Sequence, residues 1–176
     1  YVLRLTAGDG ALTRTDDLQI TVNPASAPPD LVASALDTTA ATTLGSSTAF
    51  LYTGAGAVQT GVSPTAIEER RAAVIRGKVV TRDGTPLPDV TVTILGHPEL
   101  GQTRTRSDGM FDLAVNGGGP LTANYATRGY LTVQRPLDVP WQDFVVAPDV
   151  VMTPIDSRAS TITAGAATLQ LHRGTT

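Results

Sequence analysis

"AVIRGKVVTRDGTPLPDVTVTIL", residues 73–95, decides the fold of most of this chain. Its two ends, "AVIRGKVVT" and "VTVTIL", are rich in β-branched residues. In the second, Val90, Val92 and Ile94 recur at every other position, the period that lines one face of a strand. Between them "RDGTPLPD" carries Asp83-Gly84 and two prolines, residues that end a ladder and turn the chain, with Gly84 at the turn. The stretch reads as strand, turn and strand.

Working outward, the loop "GHPELG" (96–101) leads into "QTRTR" (102–106), a turn "SDG" that ends on Gly109, and "MFDLAV" (110–115). There Phe111, Leu113 and Val115 alternate with Met110, Asp112 and Ala114, and the first set is the core face. Three further strands are predicted in "PLTANY" (120–125), "YLTVQR" (130–135) and "FVVAPDVVMT" (144–153), with Pro136 and Pro140 marking the loop before the last. No segment has a helical period. Residues 73–153 are therefore expected to form an all-β sandwich of seven strands. A sandwich of about 80 residues buries only about 60% of its unfolded surface, so it is expected to lean on neighbours.

Toward the N-terminus, "YVLRLT" and "DLQITVNP" alternate around the turn signal "AGDGA", which predicts a hairpin over residues 1–24. A lone hairpin is barely stable in water. These are expected to be the last strands of an immunoglobulin-like module, resembling the end of a PKD-like or cadherin-like domain, so that the chain is a piece of a longer polypeptide. Residues 25–72 are rich in Ala, Thr, Ser, Gly and Pro, the composition of a linker. Within it the island "STAFLYTG" (47–54) is expected to dock on a neighbour as an added edge strand. "IEERR" (67–71) is a charged lead-in; adjacent residues of a strand face opposite sides, so Glu68 and Glu69 do not make a carboxylate pair.

Composition excludes several functions. The 176 residues carry a formal charge of −3 and no run of Lys or Arg, so nucleic acid and anionic membranes find no basic field. No stretch approaches the roughly 18 to 20 apolar residues of a membrane span, and no secretory signal pattern opens the chain. With no cysteine there are no disulfides, thiolate chemistry or Cys-bound zinc. Gly117, Gly118 and Gly119 stand where a phosphate cradle would, but no Lys-Ser/Thr follows and a strand rather than a helix begins at Pro120; they read as a turn. His97 and His172 have no acidic residue at a metal-ligand spacing, and nothing like G-x-S-x-G marks a nucleophile. Asp9, Asp16 and Asp17 lack the spacing of a calcium cage. No catalytic residue, metal site or cofactor is expected. Lys78, the single lysine, raises the question of an isopeptide crosslink, which needs a buried acid; the pattern gives no reason to bury Asp112 beside it. Trp141, within "VPWQDF" (139–144), is expected to cap the core or anchor a neighbouring domain rather than stack on a sugar. Tyr125 and Tyr130 are candidates for the same contacts, though aromatics make up only 5% of the chain.

Residues 74–152 resemble the transthyretin-like domain of teneurins and bacterial RHS (YD-repeat) proteins, a relative of carboxypeptidase regulatory-like domains. The general part is "G-x-V…DG-x-PL…V-x-V" followed by "T-x-x-DG-x-F-x-L"; the specific part is "HP-x-x-G-x-T-x-x-R", "FDLAVNGGG" and "VPWQDF". "FLYTGAGAVQTGVSPTAIEERRAAV" (50–74) is similar to the approach to that domain, and the tail "STITAGAATLQLHRGTT" (160–176) resembles the first strand of a plug domain. The resemblance implies a prealbumin-like sandwich over 73–153, with 154–176 opening the next domain. It also implies a noncatalytic structural module of a large exported protein, secreted or at the cell surface, whose partners are its neighbouring domains. An alternative is a binding module that takes a glycan or cell-surface ligand through Tyr130 and Trp141.

Overall fold

A computed structural model of the chain describes residues 2–8, 13–19, 27–35, 39, 41–156, 158, 161–162, 164–165 and 169–171. Asp9, His172 and the Asn23-Pro24 end of the expected hairpin lie outside these.

Near the N-terminus β1 (Val2–Gly8) and β2 (Thr13–Gln19) pair antiparallel, Val2 opposite Gln19 and Gly8 opposite Thr13. Arg4 donates to both carboxylate oxygens of Asp17 across the ladder, at 2.7 and 2.8 Å, and holds that carboxyl below its ordinary range. Both partners are in water, so the pair adds little stability. Leu3, Leu5 and Leu18 are exposed. Two short helices follow. α1 (Pro29–Val32) is a single turn with proline at its first position, and α2 (Leu44–Thr48) starts at a reciprocal cap in which Thr43 and Ser46 bond each other's backbone N–H.

The sandwich has two four-stranded sheets. In one, β3 (Ala72–Val80) pairs antiparallel with β6 (Met110–Asn116); on its other side it pairs in parallel with β9 (Phe144–Val146) and β10 (Val150–Val151), which lie end to end. The second runs β5 (Gln102–Arg104), β4 (Thr91–Ile94), β7 (Gly119–Ala126), β8 (Val133–Val139), all antiparallel. This is an all-β sandwich, as the period-2 pattern predicts, of the transthyretin-like kind that the resemblance implies. Between the sheets lie Ile75, Val79, Phe111, Leu113 and Val115 from one side and Val92, Ile94, Ala123, Tyr125 and Val139 from the other, all fully or almost fully buried. The Phe111 ring meets Tyr125 edge-on, centroids 5.7 Å apart, and lies against Gly77, where any Cβ would come within 2.8 Å of it. Gly84 and Gly109 both adopt positive φ at turns.

Three stretches differ from the sequence reading. "FVVAPDVVMT" is two short strands, β9 and β10, broken at Ala147–Asp149, so the sandwich has eight strands rather than the expected seven. Pro136, read as a loop marker, is in the middle of β8, opposite Thr122. The Thr122 carbonyl accepts from Leu95 on the β4 side, so the Thr122–Pro136 pair is not hydrogen-bonded and the missing N–H faces the open edge, where proline is tolerated. "STAFLYTG" docks, but as α2 and a 3-10 turn (Ala49–Leu51) rather than as a strand. Thr48 and Thr53 bond back to the carbonyls four residues earlier, which favours the helical turn.

Candidate functional site

Residues 41–71, an arm with little periodic signal, wrap the outer side of the β3–β6 sheet. Leu51 and Val58 are buried against Val74 and Ala114, side chains that point away from the main core, and form a second apolar cluster there. Gln59 locks the arm in place. Its side-chain Oε1 accepts from the Ala114 N–H at 2.7 Å, and its Nε2 donates to the carbonyls of Ala114 at 2.9 Å and Leu100 at 2.6 Å. Ala114 stands opposite Val74, whose N–H goes to Asp143, so both Ala114 groups face the outer edge of β6. One carboxamide thus supplies what a neighbouring strand would otherwise supply. At 1% exposure it works without competition from water. Asn116 clasps in the reverse direction, donating to the Ala66 carbonyl and accepting from the Glu68 N–H, 2.7 and 2.8 Å. Higher up, the Thr43 hydroxyl donates to Glu69 at 2.6 Å, and Gly45 lies so close to Glu69 that a Cβ would come within 2.8 Å of its backbone oxygen.

The loop of Pro140–Asp143 closes over the glycine triplet. Gly118 has φ +107°, and its position leaves room only for hydrogen, because the Trp141 indole Nε1 would lie 1.8 Å from any Cβ. Gly117 is pressed against the Pro140 carbonyl in the same way, and Gly119 is the first residue of β7 with open space beside it. Gln142 ties the loop to the arm, its N–H bonding Ala72 at 3.0 Å and its Nε2 bonding Glu69 at 2.6 Å. Trp141 is 61% exposed, so it lies on the surface with one part of the indole on the glycines.

Next to this loop the sheet ends in an open edge. Phe144, Val146 and Val151 are exposed, and alternation along β9 and β10 turns their backbone groups away from β3. Asp143 takes the Phe144 N–H, while the outward groups of Val146 and Val151 bond no described residue. Arg76 lies over the Phe144 ring, 5.8 Å from its centroid, and reaches Asp112 with its Nε at 2.6 Å. Arg106 Nη1 holds the other oxygen of Asp112 at 2.8 Å. Asp112 is wholly buried, against two guanidiniums from separate elements rather than beside Lys78. Lys78 is opposite Met110, and both oxygens of Asp112 are already engaged.

Of the aromatic candidates, Tyr125 is fully buried and offers no face to a ligand. Burial pushes its phenol up to about 12, and its hydroxyl has no described partner. Tyr130 is half-buried against the core and bridges Pro154 at the β7–β8 turn, whereas Trp141 follows the far end of β8. A seven-residue strand, about 23 Å long, lies between the two, so the fold does not bring them into one site. His97 bonds Glu99 at 2.9 Å in an exposed loop and holds that carboxyl below its ordinary range. Among the described residues no group of three His, Asp or Glu could hold a metal, and no helix is long and apolar enough to cross a membrane.

Residues 67–152 match the family model of the teneurin TTR-like domain. Mouse Teneurin-3 is 48% identical over 81 residues, covering 46% of this chain. Chicken Teneurin-1 is 44% identical over 90 residues, and Drosophila melanogaster Teneurin-m 41% over 95, covering 51% and 54%. In each case the match spans 3% of the relative's length. Among solved structures, a 3-chlorocatechol 1,2-dioxygenase from Rhodococcus opacus aligns with a TM-score of 0.41 at 15% identity, over 54% of this chain and 64% of that one, too slight a likeness to carry fold or chemistry across. The sandwich is thus a transthyretin-like domain similar to that of teneurins, and its glycine triplet, tryptophan loop and open edge all lie within the matched segment, while most of the arm precedes it.

Proposed function

We propose that this chain is a noncatalytic bracing segment of a large exported teneurin- or RHS-like protein, secreted or displayed at the cell surface. It fixes the order and orientation of the domains on either side, the hairpin of residues 1–24 belonging to the preceding module and residues 154–176 to the next. One observation carries this reading. The arm entering the sandwich is clamped by buried hydrogen bonds, while the edge beside it carries Trp141, Phe144, Val146 and Val151 in contact with water. A clamped entry makes the linker rigid, and an apolar edge with free backbone groups accepts a neighbour's strand or loop. The test is Trp141→Ala with Val146→Lys in the full-length protein. Protease cleavage between domains is expected to accelerate, with the unfolding midpoint of the sandwich itself nearly unchanged. Cleavage as slow as in the parent would reject the bracing role.

A further inference from the structure

On the opposite sheet the loops of residues 60–61 and 95–101 rise above the outer surface and enclose a cleft of about 470 Å³. Its floor is a cross-strand row in which Gln102, Thr93 and Asn124 stand side by side on β5, β4 and β7, continued by Gln134 on β8. Asn124 Nδ2 reaches the Thr93 hydroxyl at 3.5 Å, and Gln134 Nε2 donates to Asn124 Oδ1 at 3.3 Å. The Gln102 carboxamide bonds no described residue, so both its donor and its acceptor are free for a ligand. Leu95, 53% exposed, forms an apolar wall, and among the described residues no charged side chain lines the space. The wall of residues 60–61 is built in: Thr60 and Gln102 exchange both backbone hydrogen bonds at 2.8 Å, and Gly101 approaches Thr60 so closely that a Cβ would be 2.2 Å from its carbonyl.

We propose that this cleft binds a neutral saccharide. Carboxamides and hydroxyls each donate and accept, as sugar hydroxyls do, and Leu95 suits the C–H face of a pyranose ring. Without a charged group the cleft gives an anionic ligand nothing to pair with. An extended peptide is disfavoured because the backbone groups of Thr60 and Gln102 are already spent on each other, leaving that wall no strand edge to extend. The site is independent of the bracing role, since Val146 is on the other sheet, Trp141 is in the loop after β8, and neither lines the cleft.

Amide shift mapping by NMR on the full chain tests it with a glucose trisaccharide, an N-acetylglucosamine trisaccharide, an anionic heparin-derived oligosaccharide and a neutral Thr/Gln-rich peptide. One neutral trisaccharide is expected to shift the amides of Gly61, Leu95, Gly96 and Gln102 saturably. The range is millimolar, about what a few exposed hydrogen bonds support. In Gln102→Ala/Asn124→Ala, affinity is expected to fall about tenfold, with unchanged core amides of Val92 and Leu113 showing an intact fold. The proposal is overturned if neither neutral sugar saturates, if the shifts centre on Trp141, if the double variant binds as well as the parent, or if the anionic sugar or the peptide binds more tightly.

Discussion

Replacing Gln59 with alanine tests whether the arm belongs to the folding unit. The substitution leaves one buried donor, the Ala114 N–H, and two buried acceptors, the carbonyls of Ala114 and Leu100, without their side-chain partner. A stranded buried group costs about 1–3 kcal/mol, and a carbonyl tolerates the loss better than an N–H. Some water enters the space that a truncated side chain leaves, so the sum is about 3–5 kcal/mol. Against the roughly 5–15 kcal/mol of a whole domain this is a large part. Urea unfolding reads the total, and hydrogen exchange reads the place. Ala114 is expected to lose protection well beyond Leu113 and Val115, whose N–H groups face β3 instead. Gln59→Glu keeps the size but turns an oxygen toward the two carbonyls. Only a protonated carboxyl can donate to those carbonyls, so burial is expected to raise its pKa in the folded chain, and stability present below the ordinary Glu range is lost as pH climbs above that range toward the raised value. A Gln59→Ala cost under about 1 kcal/mol, with Ala114 still protected, would show that the arm merely rests on the sandwich.

Three further outcomes follow from particular contacts. Asp112→Ala leaves Arg106 and Arg76 facing an empty buried space and is expected to cost about 3–5 kcal/mol by urea unfolding; Arg76→Gln costs distinctly less, because water reaches that guanidinium. Tyr125→Phe removes a buried hydroxyl with no described partner and is expected to be neutral or slightly stabilising at pH 7. It also flattens the alkaline limb of stability: the folded phenol stays neutral up to about 12 while the unfolded one ionises near 10.0, so the parent is fully stable below 10.0 and weakens as pH climbs toward 12. Equal pH dependence in parent and variant from pH 9 to about 11.5 would contradict this. Gly118→Ala forces a Cβ into the Trp141 indole at a φ that side chains avoid; a loss of about 1–3 kcal/mol with a changed tryptophan emission is expected, and unchanged emission would mean that the loop does not rest on the glycines.

Residues that act within one strand were legible in the sequence, and residues that act across the fold were not. Phe111, Leu113 and Val115, or Val90, Val92 and Ile94, declare their face through the period of the strand alone. The same alternation runs through Leu121, Ala123 and Tyr125, so the burial of Tyr125 was within reach once Ala123 was taken as inward. Gln59 is different: its partner is 55 residues away, and a single glutamine among Ala, Gly, Thr and Val has no period to reveal it. Asp112 meets Arg76 only because β3 and β6 pair in that register, and meets Arg106 only because the turn folds back. A linker composition likewise reflects the absence of a regular period, which an arm held by individual side chains does not need.

The way the sheet edges are closed explains why the arm is irregular. A sandwich leaves unpaired backbone groups at each edge, and each such row invites another strand. β8 turns the proline nitrogen of Pro136 outward, and β5 is three residues long and bridged by Thr60. β6 is a longer edge, and covering it with a full strand would prolong the sheet and expose a new edge in turn. A carboxamide ends the series, because Gln59 satisfies Ala114 and has no backbone row beyond it to offer. The β9–β10 edge has only Asp143 on the Phe144 N–H, leaves the outward groups of Val146 and Val151 without a terminator among the described residues, and keeps apolar side chains in water. Closure on three edges therefore directs any added strand to the fourth, the one beside the tryptophan loop.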